Sequence, residues 1–151
     1  MTTLYVDTSA LGAAYFPDEP DHHALNDLVF GSAHDVVTSA ITRVELSSAV
    51  RSASEAGRVP DPDRVWDTID ADFGESGPVG LISLRADPVL TVAVSIVRRH
   101  RVRTLDAIHL AVALEDGTRV AAPQTLVFTT LDHHQATAAR ALGLNVHPLA
   151  D

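Results

Sequence analysis

The chain has 151 residues, a length typical of one domain, and we expect a single domain over residues 1–151. It contains no cysteine, which excludes disulfide bonds, thiolate zinc sites and thiol catalysis. The net charge is −9, from 11 basic and 20 acidic residues, and every basic residue is an arginine. Without lysine, Schiff-base chemistry and a lysine clamp on phosphate are excluded. The amino terminus has neither a basic region nor a long apolar run, so we expect a cytoplasmic protein without a membrane segment.

Short apolar runs predict five strands, at Leu4–Val6, Val36–Thr38, Gly80–Ser83, Leu126–Thr129 and Asn145–His147. The first four runs are almost continuously apolar, which is typical of parallel strands buried on both faces. Helical periodicity separates the strands, as in the stripe formed by Ile41, Val44, Ser48 and Ala49. Strands that alternate with helices predict an α/β fold, a three-layer α/β/α sandwich with a mainly parallel central sheet.

Two predicted strands are followed by a carboxylate. Asp7 comes directly after the first strand, and Asp132 follows the fourth strand after Thr130 and Leu131. Ligands of open parallel sheets bind beyond the carboxyl ends of the strands, so we expect both aspartates at one edge. The structural alternative for Asp7 is a helix N-cap, because aspartate commonly accepts hydrogen bonds from the free N–H groups of a helix start.

Glu45 follows the second predicted strand on a helix, where it shares a face with Ile41 and Ala49. A carboxylate on an apolar face has to be paired or has to bind a metal. Its two interpretations are therefore a role in a functional site and an ion pair with Arg43 or another arginine.

Asp106 lies in the first turn of a further predicted helix, where the helix dipole favours an anion and an aspartate is ordinary. Histidines accompany two of the acids, since His109 follows Asp106 by one turn and His133 and His134 follow Asp132. Histidine ligands need convergent partners of the right geometry, so each of these three is either a metal ligand or an ordinary helix residue.

The four carboxylates together indicate more than each one does alone. Like charges gathered in one cleft need a counter-charge, because their pKa values would otherwise rise. Oxygen ligands select hard cations such as Mg²⁺ or Mn²⁺, and an ion held by few carboxylates and many waters usually serves a phosphate substrate. The cluster therefore points to metal-assisted attack of water at phosphorus.

Four segments resemble the motifs of the PIN-domain family and, more narrowly, the VapC-type ribonuclease toxins of bacterial toxin–antitoxin pairs. They are, in chain order, TLYVDTSAL, RVEL, RTLDAIHLA and FTTLDHHQATAARALGL. The resemblance covers nearly the whole chain and implies a Mg²⁺- or Mn²⁺-dependent endoribonuclease that leaves a 5′-phosphate and a 3′-hydroxyl. One departure is Leu131, where such toxins often have a smaller or polar residue.

The resemblance also implies residue roles. It assigns the catalytic and metal-binding acids to Asp7, Glu45, Asp106 and Asp132. The first, third and fourth of these would hold one or two ions, and the glutamate would bind a second ion or orient the attacking water. Supporting hydroxyl groups would come from Thr8 or Ser9 and from Thr130. The family further implies a homodimer, inhibited by a VapB-type antitoxin that inserts into the active-site groove.

An acidic protein can hold RNA only through a local basic surface. Arg98, Arg99, Arg101 and Arg103 place four arginines within six residues just before Asp106. Arginine contacts to phosphate dominate nucleic-acid affinity, so this run predicts an RNA-binding surface. The alternative is a solvated helix end, where the helix dipole favours arginine.

Other functions fit the sequence less well. A haloacid-dehalogenase-type phosphatase needs a second acid where Ser9 stands, and both it and a response-regulator receiver need a lysine. A catalytically silent PIN-like module that binds RNA or a protein remains the alternative to the enzyme. The amphipathic segment Pro60–Gly77 predicts either core packing or a surface for a second copy or the antitoxin.

Overall fold

A computed structural model describes residues 2–148, and the predicted strands form one parallel sheet within them. The strand order is β3-β2-β1-β4-β5, with β1 in the centre. Each strand lies within one residue of its predicted bounds at either end. The strands are β1 (Thr3–Val6), β2 (Asp35–Ser39), β3 (Val79–Ile82), β4 (Leu126–Thr129) and β5 (Asn145–Val146).

Helices connect the strands and cover both faces of the sheet. They are α1 (Thr8–Tyr15), α2 (His22–Phe30), α3 (Ala40–Glu55), α4 (Pro62–Asp72), α5 (Ala86–Arg99), α6 (Thr104–Val112), α7 (Thr118–Ala121) and α8 (His133–Ala141). A π-helical turn at Ala113–Gly117 joins α6 to α7. Among residues 2–148, none of the helices is both long and apolar enough to span a lipid bilayer.

The sheet separates two hydrophobic cores, because successive residues of a strand point to opposite faces. Leu4 and Val6 of β1 pack with residues from α1, α2, α3 and α4. Tyr5, between them, packs on the other face with β4 and with residues from α5, α6 and α8. The α/β/α sandwich predicted from the sequence is therefore confirmed.

The buried face of α3 differs from the predicted stripe. Val44 is 70% exposed and Ser48 is also exposed, whereas Leu46 and Val50 are fully buried. Thr42 is buried as well, because its hydroxyl lies 2.7 Å from that of Thr38 at the end of β2. The buried face of α3 therefore runs through residues 42, 46, 50 and 53, and a helix that buries this face turns residue 44 outward.

The amphipathic segment Pro60–Gly77 packs into the core and does not form an exposed apolar surface. Ile69 of α4 is 1% exposed and Phe73, its C-cap, is 7% exposed. Val65 and Trp66 are partly buried and pack against the same cluster. Core packing is therefore the observed use of this stripe.

Candidate active site

The site lies where the order of the strands reverses. β1 pairs with β2 on one side and with β4 on the other. The chain runs outward from β1 through β2 to β3 and then crosses back to β4 and β5, so the strand order reverses at β1. Such a reversal opens a crevice at the carboxyl ends of the strands. Asp7 directly follows β1, and its N–H donates to the carbonyl of Thr129 at 3.0 Å. Asp132 follows β4, the strand that contains Thr129, so Asp7 and Asp132 lie at the same edge of the sheet, as predicted.

Asp7 is 3% exposed and lies within hydrogen-bond distance of three donor groups. It caps α1 by accepting from the N–H of Ala10 at 3.1 Å, so the structural alternative is also realised. The Ser9 hydroxyl donates to both of its oxygens, at 2.8 and 3.1 Å, and that of Thr130 donates at 3.0 Å. Burial raises the pKa of Asp7 above 3.8, although nearby His109 and these hydrogen bonds oppose the shift.

Glu45 is fixed by two side chains. The Thr8 hydroxyl donates to Oε1 at 2.8 Å, and Nε2 of His109 lies 2.6 Å from the same oxygen. Burial raises the pKa of Glu45, but the hydrogen bond and electrostatic attraction to His109 lower it by more, so it lies below 4.5. The expected alternative, an ion pair with Arg43, is not formed, because Arg43 pairs with Asp70 at 2.7 Å.

His109 extends this contact into the core. It is 1% exposed, and Nδ1 lies 2.8 Å from the Tyr5 hydroxyl. Nε2 of His109 is the hydrogen-bond partner of the Glu45 carboxylate, and Nδ1 is the partner of the Tyr5 hydroxyl. A buried chain of hydrogen bonds thus links β1, α6 and α3 and fixes the position of Glu45.

Asp106 and Asp132 form the more open part of the site. They lie at the starts of α6 and α8, where Asp132 is the N-cap and accepts from the N–H of Gln135 at 3.0 Å. Arg103 bridges the two carboxylates, with Nε 3.3 Å from Asp106 and Nη2 3.7 Å from Asp132. The Arg103 side chain is 84% exposed, so both acids share one solvated cation.

Two cavities lie beside these residues. The larger, about 670 Å³, is lined by Val97, His100, Arg101, Val102, Arg103, Asp106, Asp132 and His134. The smaller, about 340 Å³, is lined by Glu45, Arg103, Thr104, Leu105 and Asp106. Arg103 and Asp106 line both cavities, so the cavity beside Asp132 and the cavity beside Glu45 adjoin at these two residues.

The sequence model of the PIN domain matches residues 4–141. This chain belongs to the PIN domain family. No curated protein gives a significant match to the sequence. The matched range includes all four acids of the site, and their catalytic and metal-binding roles stay a prediction.

Solved structures share the fold over almost the whole chain. The toxin VapC20 of Mycobacterium tuberculosis, described as cleaving the sarcin–ricin loop, is 20% identical, with TM-score 0.66 over 93% of this chain and 95% of its own. VapBC2 of Rickettsia felis, bound to promoter DNA, is 11% identical, with TM-score 0.62 over 97% and 98%. FitAcB of Neisseria gonorrhoeae is 18% identical, with TM-score 0.58 over 97% of both chains. At these identities the likeness concerns the fold alone.

The acids of this PIN domain fit a divalent cation as a pair better than as a closed cage. Within residues 2–148, no three Asp, Glu or His side chains are positioned to hold one ion. Asp106 and Asp132 nevertheless already share one cation, the Arg103 guanidinium, and face an open cavity. Mg²⁺ usually takes only one or two carboxylates and completes its shell with water and phosphate oxygens. The donor set therefore suits Mg²⁺ or Mn²⁺, while the assignment of Asp7 and Glu45 as ligands stays a prediction.

The structure separates the candidate supporting groups. Ser9 and Thr130 both donate to Asp7, whereas Thr8 donates to Glu45. His133 and His134 are exposed, and His134 lines the larger cavity.

Two parts of the hydrogen-bond network lie outside the sequence-based predictions. The chain from Tyr5 through His109 to Glu45 joins residues far apart in sequence, although His109 had been considered as a ligand. Gln135 was overlooked, although Asp132 and Gln135 have the spacing of a capping box and so signal a structured helix start.

The predicted basic surface is split by the structure. Arg103 lies against Asp106 and Asp132, so it neutralises the site. Arg98, Arg99 and Arg101 are exposed, and in the part of the chain that the structure describes they form no ion pair. Their charges are therefore available to an anionic ligand.

Proposed function

We propose that this PIN domain is a metal-dependent endoribonuclease and acts as the toxin of a type II toxin–antitoxin pair. The observation that carries the proposal is the pair of adjoining cavities at the strand ends, which Glu45, Asp106 and Asp132 line beside unpaired arginines. VapC20, whose fold this chain shares, is described as a toxin that cleaves the sarcin–ricin loop. The family and this arrangement support the same chemistry.

A divalent ion bound here would supply an activated water molecule and neutralise phosphate oxygens, the chemistry that hydrolysis of a phosphodiester requires. Asp106 and Asp132 would hold the ion from α6 and α8, and Asp7, at the end of β1, is the third carboxylate of the prediction. Glu45 binds a second ion or accepts a proton from the attacking water, because its hydrogen bonds to Thr8 and His109 keep it ionised and in place.

The arginines hold the RNA backbone beside these acids. Arg101 lines the larger cavity, and Arg98 and Arg99 lie in the last turn of α5 close by in sequence. Exposed guanidinium groups without an internal partner bind phosphate by releasing counterions, so binding weakens with added salt. The local positive charge lets a chain of net charge −9 bind a polyanion.

A groove next to the site suits the antitoxin partner. It has a volume of about 500 Å³, begins at Thr8 and Ser9 and extends between α1 and α3 to Phe16 and Arg58. A peptide segment in this groove would contact Thr8 and Ser9, whose hydroxyl groups donate to Glu45 and Asp7, and this would account for inhibition by insertion. The homodimer stays a prediction, for which the exposed Leu90, Val94 and Val97 on one side of α5 offer an apolar surface.

The test of the function is cleavage of total cellular RNA during a Mg²⁺ and Mn²⁺ titration, with EDTA as the metal-free control. The matched variant is Asp7→Asn, which retains an N-capping oxygen. We expect discrete fragments from the wild type only with metal, and none from the variant while it stays folded. Full activity of the folded variant, or cleavage in EDTA, would contradict the proposal. Metal binding without cleavage would instead favour the catalytically silent module.

A further inference from the structure

Gln135 lies three residues after Asp132 and is completely buried. This spacing is that of a capping box, in which the glutamine side chain returns to the N–H of the N-cap residue. Here the N–H of Asp132 donates to the Thr130 hydroxyl at 3.1 Å instead. The Gln135 amide is therefore not used to cap α8 and is directed elsewhere.

The amide of Gln135 contacts two other elements of the site. Its Nε2 donates to the carbonyl of Asp106 in α6 at 3.3 Å. Its Oε1 accepts from the Thr130 hydroxyl, which follows β4, at 2.7 Å. Its own backbone N–H donates to Asp132. One buried side chain thus connects the starts of α6 and α8 with the end of β4.

The contact with Thr130 also reaches Asp7. The Thr130 hydroxyl lies 2.7 Å from Gln135 Oε1 and 3.0 Å from Asp7 Oδ2. A hydroxyl group has one proton, so it donates to only one of these acceptors at a time. Gln135 therefore competes with Asp7 for this proton, and the hydroxyl of Thr130 links the two side chains.

A buried amide costs free energy unless its hydrogen bonds are made, and a leucine of similar volume would fill this position without that cost. All the bonds of the Gln135 amide go to residues that carry or contact the acids. We propose that Gln135 is a positioning residue that sets the separation and orientation of Asp7, Asp106 and Asp132 for binding a divalent cation. This inference rests on the proposed function.

The test compares Gln135→Leu with Gln124→Leu in the full chain. Gln124 is a matched control, because it accepts from Thr3 at 2.8 Å and donates to Asp35 at 3.3 Å. These partners begin β1 and β2, at the opposite edge of the sheet from the acids. The readouts are Mn²⁺ affinity by isothermal titration calorimetry, the melting temperature, and RNA cleavage as a function of Mn²⁺ concentration.

We expect Gln135→Leu to weaken Mn²⁺ binding by about 10-fold or more, as is common when a group that orients a metal ligand is removed. Higher Mn²⁺ concentrations should restore part of its cleavage. Gln124→Leu should lower the melting temperature at most and leave the Mn²⁺ affinity unchanged. If Gln135→Leu does not fold, Gln135→Met keeps a flexible side chain of similar size and is measured in the same way.

The outcomes separate the two proposals. Wild-type Mn²⁺ affinity in Gln135→Leu, with an active wild-type protein, would overturn the positioning role and leave the proposed function standing. Equal losses in both glutamine variants, or unfolding of both Gln135 variants, would show a structural role and overturn the inference. A wild-type protein that neither binds Mn²⁺ nor cleaves RNA would overturn the proposed function itself.

Discussion

The two halves of the site are built differently. In the closed half, Glu45 is held by Thr8 and His109, and His109 is bonded in turn to Tyr5 in the core. In the open half, Asp106 and Asp132 share the guanidinium of Arg103, which is 84% exposed. The closed half contains a completed network of buried hydrogen bonds, and the open half contains two carboxylates and an exchangeable cation.

This difference separates what folding requires from what a ligand requires. Breaking a buried network leaves polar groups without partners and lowers stability. An exposed ion pair contributes little stability, so its cation can be replaced by another at little cost. Changes in the closed half should therefore affect stability, and changes in the open half should affect ligand binding and catalysis.

The largest effect is expected from Asp106→Asn in the open half. The substitution removes one of two carboxylates facing the cavity, and RNA cleavage should fall by at least about 100-fold, since metal-assisted catalysis contributes several kcal/mol. Its melting temperature should stay close to that of the wild type, because the lost ion pair is with an exposed arginine. Cleavage assays and thermal melts check both parts. A lower melting temperature with wild-type cleavage would contradict the division of the site into an open and a closed half.

His109→Leu should disrupt the hydrogen-bond network of the closed half and lower the stability of the protein. Both Tyr5 and Glu45 lose a partner, so the free energy of unfolding should fall by about 1–3 kcal/mol. Thermal melts should show a decrease of several degrees for a chain of this length. His133→Ala, at an exposed position of α8, is the control and should leave the melting temperature unchanged. Equal stability of the two variants would show that the buried network does not support the fold.

Neutralising Arg98, Arg99 and Arg101 to glutamine should weaken RNA binding without affecting the fold. For single strands, each lost phosphate contact makes the slope of log K against log salt less steep by about 0.7. The slope of the triple variant should therefore be less steep than that of the wild type by about 2. Fluorescence anisotropy in a salt series measures the slope. Arg51→Gln, whose arginine pairs with Glu55, is the control. An unchanged slope in the triple variant would show that these arginines only solvate the end of α5 and do not bind RNA.

The smallest of these effects concerns stability alone: Asp7→Asn, the variant expected to abolish cleavage, should be slightly more stable than the wild type. Burial raises the pKa of Asp7 above 3.8, so its ionised form destabilises the fold, and the asparagine lacks this charge. Without metal, the variant should melt a few degrees above the wild type at pH 7. The difference should shrink as the pH falls through the raised pKa of Asp7 towards 3.8, because the wild-type carboxyl becomes protonated. A difference that grows on acidification would contradict this assignment.

The sequence predicted the framework of the site but not the contacts inside it. Asp7 and Asp132 could be placed at one edge because a carboxylate after a buried parallel strand has a defined position. The partner of Glu45 could not be predicted, since His109 lies 64 residues away and approaches only when α3 and α6 meet beside β1. The exposure of Val44 was not predicted because two apolar stripes are possible on α3, and the helix buries the one that runs through Leu46, Val50 and Ala53.

The most direct test is a crystal structure of the protein grown with Mn²⁺, with the ion located by its anomalous scattering. We predict a manganese peak between Asp106 and Asp132, with Arg103 displaced from both carboxylates and the contact of Glu45 with His109 unchanged. An unbroken Arg103 bridge and no manganese at this pair, at a Mn²⁺ concentration that supports RNA cleavage, would contradict the account.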